Sequence, residues 1–251
     1  MQVTKTETLH HHKNKIMLQK KRWIPSAIVL GALAISLTLM AQPKKDGYVK
    51  IFDGKTLNGW DADTNFWRVE NGVVIGQVYP GKLPKANTFL IWKGGQPADF
   101  DFKAEYRISP GGNSGVQYRS EELKDIPHAL KGYQADIDGA NVYTGQNYEE
   151  RGRGFLAMRG QKVILKTGEK PIVTGSLGSS DSLKALIKSG WNEIHIIVKG
   201  NKAQHFINGV LMSETVDEDA ANSKSSGLIG LQVHVLPQMK VEFKNIYLKQ
   251  F

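Results

Sequence analysis

Along most of its length the chain alternates apolar and polar residues with a period of two, the mark of strands that bury one face and wet the other. The clearest run is Phe100–Ile108, where Phe100, Phe102, Ala104, Tyr106 and Ile108 share one side and Asp101, Lys103, Glu105 and Arg107 the other. That pattern predicts an antiparallel strand over a core, with the charges as an ordinary solvated row. Glu193–Lys199 repeats it with Ile194, Ile196 and Val198 inward, and Leu228–Val235 with Leu231, Val233 and Val235. Val241–Leu248 starts with Val241 and Phe243 and, after a shift of register, continues with Ile246 and Leu248. Asn71-Gly72 and Asn208-Gly209 each separate two such runs and predict hairpin turns, because both residues tolerate positive φ. Gly154–Arg159 and Lys162–Lys166 read as a further hairpin about Gly160, and Lys170–Ile187 as a loop with one helical turn near Ser182–Ile187. Ten or more short strands, little helix and no internal repeat predict an all-β chain. The expected architecture is a two-sheet antiparallel sandwich or jelly roll.

The stretch Gly132–Gly154 departs from this plain pattern. Tyr133, Ala135 and Ile137 point one way, and Gln134, Asp136 and Asp138 point the other. Two mutually repelling carboxylates on one strand face, followed by a loop with Tyr148, Glu149, Glu150, Arg151 and Arg153, suggest a pocket floor or a cation cradle. The plainer alternative is a wet strand and a charged loop. Two further strands carry comparable non-core faces: Gly115, Gln117 and Arg119 on Asn113–Ser120, and Gly230, Gln232 and His234 on Leu228–Val235. Amides, carboxylates, Arg and His hydrogen-bond sugar hydroxyls, and the chain's five Trp and eight Tyr supply flat faces for sugar rings. Together these predict a carbohydrate-type site on the concave face of a sheet. Arg119 has a second reading as a structural ion pair with Asp136 or Glu150, and His234 one as a hydrogen-bonded structural histidine. His205 lies on the core side with Ala203 and Ile207 and reads as structural. The Asp136/Asp138 pair suits a hard divalent cation such as Ca²⁺, with no other ligand fixed by the sequence.

Composition removes several function classes. Of the 251 residues, the first 41 read as a leader: Lys20-Lys21-Arg22, then an apolar run from Ile24 to Met40 that ends in Ala41-Gln42. Its uninterrupted part, Ala27–Met40, is shorter than the ~18–20 residues of a bilayer-spanning helix. The expectation is a signal peptide cleaved near Ala41-Gln42, with no stable membrane span afterwards and a periplasmic or secreted product. A retained N-terminal anchor is the alternative, since Leu39 is bulky for its position before the cut. Met17 is an alternative start, which would place residues 1–16 upstream. Residues 42–47 read as a linker and 48–251 as the folded domain. The leader holds 6 of the 33 basic and 1 of the 24 acidic residues, so the remainder carries 27 against 23, a net charge near +4 instead of +9. These charges are scattered, which excludes nucleic-acid binding. There is no cysteine, so neither disulfides nor a lipid-modified N-terminal Cys is available. No nucleophile elbow, phosphate loop, zinc spacing or dinucleotide fingerprint occurs.

A series of short motifs comes in a characteristic order: IFDGKTLNGW (51–60), WRVENGVVIG (67–76), NSGVQYRS (113–120), GYQADID (132–138) and NYEERGRGFLA (147–157). WNEIHIIVKGNKAQHFINGV (191–210) and IGLQVHVLPQMKVEFKNIYLK (229–249) complete it. Taken together they resemble the bacterial 3-keto-disaccharide hydrolase domain family across residues 47–251. Val235-Leu236-Pro237 after His234, and Gln146-Asn147 before Tyr148, depart from the family's pattern at the rim of the expected pocket. The resemblance implies a concanavalin A-like, laminin-G-like jelly roll and cleavage of glycosides oxidised to a ketone at C3. A base would remove the C2 proton, the C1 substituent would leave, and water would add. Such chemistry asks for a base (Asp136 or His234), an enolate stabiliser (Arg119 or a bound cation) and an acid (Glu150). Gln117, Gln134, Asp138, Tyr148, Arg151 and Gln232 are the expected substrate-binding residues. A direct two-carboxylate glycosidase and a non-catalytic carbohydrate-binding module are the alternative functions.

Overall fold

The computed structural model describes residues 46–251. The expected leader and most of the expected linker lie outside the described residues. Seventeen strands and one short helix make up the described chain. The first five strands are β1 (Val49–Lys50), β2 (Trp60–Asp61), β3 (Trp67–Glu70), β4 (Val73–Val78) and β5 (Thr88–Trp92). Three long ones follow, β6 (Phe100–Ile108), β7 (Asn113–Glu122) and β8 (Leu130–Asp138). Next come β9 (Asn147–Glu150), β10 (Gly154–Ala157), β11 (Gln161–Leu165), β12 (Ile172–Ser176) and helix α1 (Ser180–Lys184). The chain closes with β13 (Asn192–Lys199), β14 (Lys202–Ile207), β15 (Val210–Asp217), β16 (Leu228–Val233) and β17 (Met239–Gln250).

The strands form two sheets. One runs β12-β11-β15-β14-β13-β6-β17-β4-β3, with β1 also on β17, and the other runs β10-β9-β8-β7-β16-β5-β2. Pairing is antiparallel except between β11 and β15. The result is the two-sheet jelly-roll sandwich. Both Asn-Gly hairpins form as expected, with Glu70 opposite Val73 and Ile207 opposite Val210. Asn71 and Asn208 sit at φ 50°. The expected register shift in the last strand falls between Lys244 and Tyr247, at Asn245 with φ 50°.

The hairpin expected about Gly160 does not form. β10 pairs with β9 in the seven-stranded sheet, while β11 pairs with β12 and β15 in the other, so the chain crosses between sheets there. Gly160 makes the crossing possible. At φ 94° its N–H reaches the carbonyl of Met212, and a Cβ there would lie 2.5 Å from the oxygen of Gly178. The segment read as a loop, 170–187, contains β12 as well as α1. β12 is exposed along nearly all its length, so it has no burial pattern for sequence to reveal.

The core lies between the sheets. Phe100, Phe102, Ala104 and Tyr106 of β6 and Ile194, Ile196 and Val198 of β13 meet Val116 and Tyr118 of β7 and Tyr133, Ala135 and Ile137 of β8, with Leu231 and Val233 of β16. Period-two alternation then forces Gln117, Gln134, Asp136 and Gln232 onto the opposite face of the seven-stranded sheet. That face is nonetheless covered in part: Phe89, Ile91 and Leu130 form a second small apolar cluster on it, and the Phe89 N–H bonds the His128 carbonyl in the segment that joins β7 to β8. Beside this cluster the polar residues are buried too.

Candidate active site

The site is assembled on the outer face of β7, β8 and β16 and on the chain that follows β8. Register brings the residues together: Gln117 stands opposite Gln134, Gly115 opposite Asp136, and Gly230 opposite Gln117. Two of these positions are glycine, and the missing side chain is what makes room. A Cβ on Gly115 would lie 2.5 Å from Cγ of Gln134. The cleft above them holds about 220 Å³. Its polar lining is Asn113, Gln134, Asp136, Glu150, Gln232 and His234, and its apolar wall is Tyr143, Tyr148 and Phe155.

Asp136 is 7% exposed and accepts a 2.8 Å hydrogen bond from Nε2 of Gln134. Burial, reinforced by the negative charges of Asp138 and Glu150, pushes its carboxyl up to about 8, against the opposing pull of the Gln134 hydrogen bond. Gln134 Nε2 also approaches Gln232 Oε1 at 3.5 Å. Gln134 Oε1, Gln232 Nε2 and both polar atoms of Gln117 are buried without a hydrogen-bonding partner. Buried polar groups in a folded protein are normally paired. Gln134 and Gln232 line the cleft, and their unpartnered amide atoms lie just beneath its floor. Tyr148 also lines the cleft, and burial together with the Glu150 and Asp136 charges raises its phenol above the ordinary value, which keeps it a hydrogen-bond donor.

Glu150 is held by a residue the sequence pattern did not single out. Asn87, in the loop before β5, donates from Nδ2 to Glu150 Oε1 at 3.1 Å and accepts the Val235 N–H at 3.0 Å. One side chain thus ties the carboxylate of β9 to the backbone beside His234. Asn113 was also missed, although it continues the parity of Gly115 and Gln117. Tyr143 was legible only as a loop residue and Phe155 only as part of a hairpin strand.

Six of the ten expected site residues share this cleft: Asp136, His234, Glu150, Gln134, Tyr148 and Gln232. The other four do not line it. Gln117 is on the same face but entirely beneath the surface. Asp138 faces the same way, yet its carboxylate is spent on the following loop, accepting N–H bonds from Val142, Tyr143 and Thr144 at 2.8–2.9 Å. It organises the loop that carries Tyr143 and does not pair with Asp136 as a chelate. Arg151 is exposed at the β9–β10 turn with φ 56°.

Arg119 is the largest correction. The register of β7 shifts after Tyr118, and Arg119 takes φ 45°, so alternation fails at that residue. Its guanidinium bonds the carbonyls of Ala98 and Lys224 and reaches Asp99 at 3.2 Å. It lines a larger cavity of about 430 Å³, walled by Tyr118, Tyr133, Val198 and Ala203 from the core-facing sides of both sheets. The polar groups there largely satisfy each other, as Tyr133 does with Asp217 and Asn147 with Thr215. His205 is buried in the core as expected, between the Tyr118 hydroxyl at 3.0 Å and the Gln146 carbonyl at 3.1 Å. Among the described residues no group of three or more His, Cys, Asp or Glu is arranged to hold a metal ion. No helix of these residues is long and apolar enough to cross a membrane.

With this geometry in place, comparison with known proteins decides the family, since residues 47–249 match the 3-keto-alpha-glucoside-1,2-lyase-like domain. The chain belongs to that family. A member of the 3-keto-alpha-glucoside-1,2-lyase-like domain family, it is 34% identical over 92 residues to the 3-keto-disaccharide hydrolase of Bacteroides thetaiotaomicron. That match spans 31% of this chain and 29% of the relative. Among solved structures, a candidate glycosyl hydrolase of Parabacteroides distasonis superposes with a TM-score of 0.53 at 19% identity, covering 82% of this chain and 94% of the other. The carbohydrate-binding module CBM66 of Bacillus subtilis superposes with a TM-score of 0.52 at 15% identity, covering 76% and 96%. Identities this low speak for the shared jelly-roll fold alone.

Proposed function

We propose that the protein cleaves 3-keto-glycosides, with Asp136 as the base that removes the C2 proton. The observation that carries this reading is the Asp136 carboxyl, buried at the floor of a one-ring cleft with its affinity for protons raised to about 8. A general base works best when its pKa lies near the operating pH, and an ordinary carboxylate is too weak. The ketone at C3 acidifies the C2–H. Asp136 takes that proton, and the electron pair becomes the C2–C3 enolate, stabilised at O3 by His234, which lines the cleft. Collapse of the enolate re-forms the ketone, makes the C1–C2 double bond and expels the C1 oxygen, which takes a proton from Glu150 when that carboxyl is in its protonated form. Water then adds at C1, giving one proton to the Glu150 carboxylate, while the proton held by Asp136 returns to C2, which gives net hydrolysis. Family membership and the hydrolase named from Bacteroides thetaiotaomicron support the substrate class. Periplasmic or secreted location, as the leader suggests, would suit an enzyme meeting imported or extracellular sugars.

The test is turnover of a 3-keto-glucoside and its unoxidised parent by residues 42–251, followed as aglycone release and enone absorbance, for wild type and Asp136→Asn. Release from the keto sugar alone, abolished by the substitution while sugar still binds, is the expected result. Release from both sugars would replace this reading with a two-carboxylate glycosidase, and binding without release with a carbohydrate-binding module. Insensitivity to chelator is expected, since the assigned steps use side chains alone; loss of turnover that a divalent cation restores would give the enolate to a metal.

A further inference from the structure

The cleft is polar on one side and aromatic on the other, and the aromatic side extends beyond it. Tyr143 is 38% exposed and Phe155 47%. Their rings lie 5.9 Å apart and nearly parallel, at 21°, while Tyr148 meets Phe155 edge-on at 5.1 Å. Of the eleven large hydrophobic residues exposed among those described, four come from the two short segments that bring these rings to the cleft: Val142, Tyr143, Phe155 and Met158. Of these, Tyr143 and Phe155 lie side by side at the cleft, and exposed apolar surface of this kind marks a binding surface. The Asp138 carboxylate pins the Tyr143 loop in position through three backbone N–H groups, so the wall is built rather than loose.

Volume decides what the wall is for. At about 220 Å³ the cleft is smaller than the ~300–1,000 Å³ that encloses a drug-sized ligand, so it takes one pyranose ring. The amides and carboxylates suit the hydroxyls of the ring that reacts. The group on C1 then lies toward the exposed rings of Tyr143 and Phe155 at the edge of the cleft. We propose that this wall is an aglycone subsite selecting a planar aromatic leaving group, so that phenolic 3-keto-glucosides are preferred over those whose aglycone is a second sugar. The inference rests on the 3-keto-glycoside reading for its chemistry.

Steady-state kinetics on phenyl, methyl and glucosyl 3-keto-glucosides, with wild type, Phe155→Ala and Tyr143→Ala, test it. Using each substrate in every variant cancels differences in leaving-group acidity. Stacking on one ring corresponds to on the order of tenfold in affinity. Removing Phe155 should therefore raise KM for the phenyl substrate about tenfold more than for the methyl one, with Tyr143→Ala in the same direction. Equal effects on all three substrates, or a larger one on the glucosyl substrate, would overturn the proposal. Calorimetric binding of unoxidised phenyl and methyl glucosides separates it from the reaction. A phenyl preference lost in Phe155→Ala, with no turnover of any keto sugar, would keep the subsite and remove the reaction. Turnover without any phenyl preference would do the reverse.

Discussion

Replacing Asp136 by Asn should make the protein more stable while abolishing turnover, and the gain should depend on pH. The carboxyl is moved from its ordinary 3.8 to about 8, chiefly by burial. Between those two values the folded protein holds a proton that the unfolded chain has released. Stability therefore falls as pH rises through that window and is unaffected below it, where both states are protonated. At pH 7 the cost is ~1.36 kcal/mol for each of about 3 pH units, roughly 4 kcal/mol. Asn has nearly the same shape, carries no charge, and can still accept the hydrogen bond from Gln134 Nε2. Urea unfolding at about pH 4, 6 and 8 measures the effect through the midpoint, with the slope as a check that the unfolding reaction is unchanged. The variant should exceed wild type by about 4 kcal/mol near neutrality, with the gap closing toward pH 4. A gap that is the same at every pH, or a variant less stable at pH 7, would show that Asp136 is not a carboxylate desolvated at its site. On the proposed role of Asp136 as base, wild-type turnover should rise with pH up to about 8, since only an ionised carboxylate accepts a proton.

Three further perturbations probe the surroundings of the site. Gly115→Ala puts a methyl 2.5 Å from Cγ of Gln134, so Gln134 must leave the cleft floor; KM should rise several-fold, with a melting shift that reflects about 1–3 kcal/mol of overpacking. Arg153 bonds Glu149 at 2.6 Å and Asp217 at 2.7 Å. Arg153→Met leaves both carboxylates buried without their cation and should cost about 3 kcal/mol in denaturant unfolding. His205 is held neutral by burial, at about 4 against its ordinary 6.5. The unfolded chain therefore gains a proton first as pH falls, and up to ~3 kcal/mol is lost between about pH 6.5 and 4. His205→Gln should remove that slope relative to wild type, in a comparison at constant salt.

Period-two patterning by itself accounts for most of the fold, because one buried and one open face leave a strand only one register that keeps apolar groups out of water. The hairpins at Asn71-Gly72 and Asn208-Gly209, the core faces of β6, β13 and β16, and the outward row Gln134, Asp136 all follow from local sequence. The same parity puts Gln134, Asp136 and Gln232 on the cleft face, whereas Tyr148 and Glu150, read as loop, reach it because they belong to β9, which pairs with β8. It fails wherever the backbone leaves the alternating conformation. One residue at φ 45° turned Arg119 from the outer face to the edge of the core, and Gly160 carried the chain between sheets where a hairpin was expected.

Other features depended on contacts between segments far apart in sequence. Asn87 reaches Glu150 across 63 positions, and no periodicity announces it. Asp138 looked equivalent to Asp136 on the strand face, yet the loop that folds back over its oxygens made it structural, while a cover of protein made Asp136 reluctant to ionise. Burial of a charged group is a property of everything packed around it. The sequence by itself determined which side chains share a strand face; only the tertiary structure decided which of them are desolvated, and desolvation is what raises a carboxylate's affinity for protons.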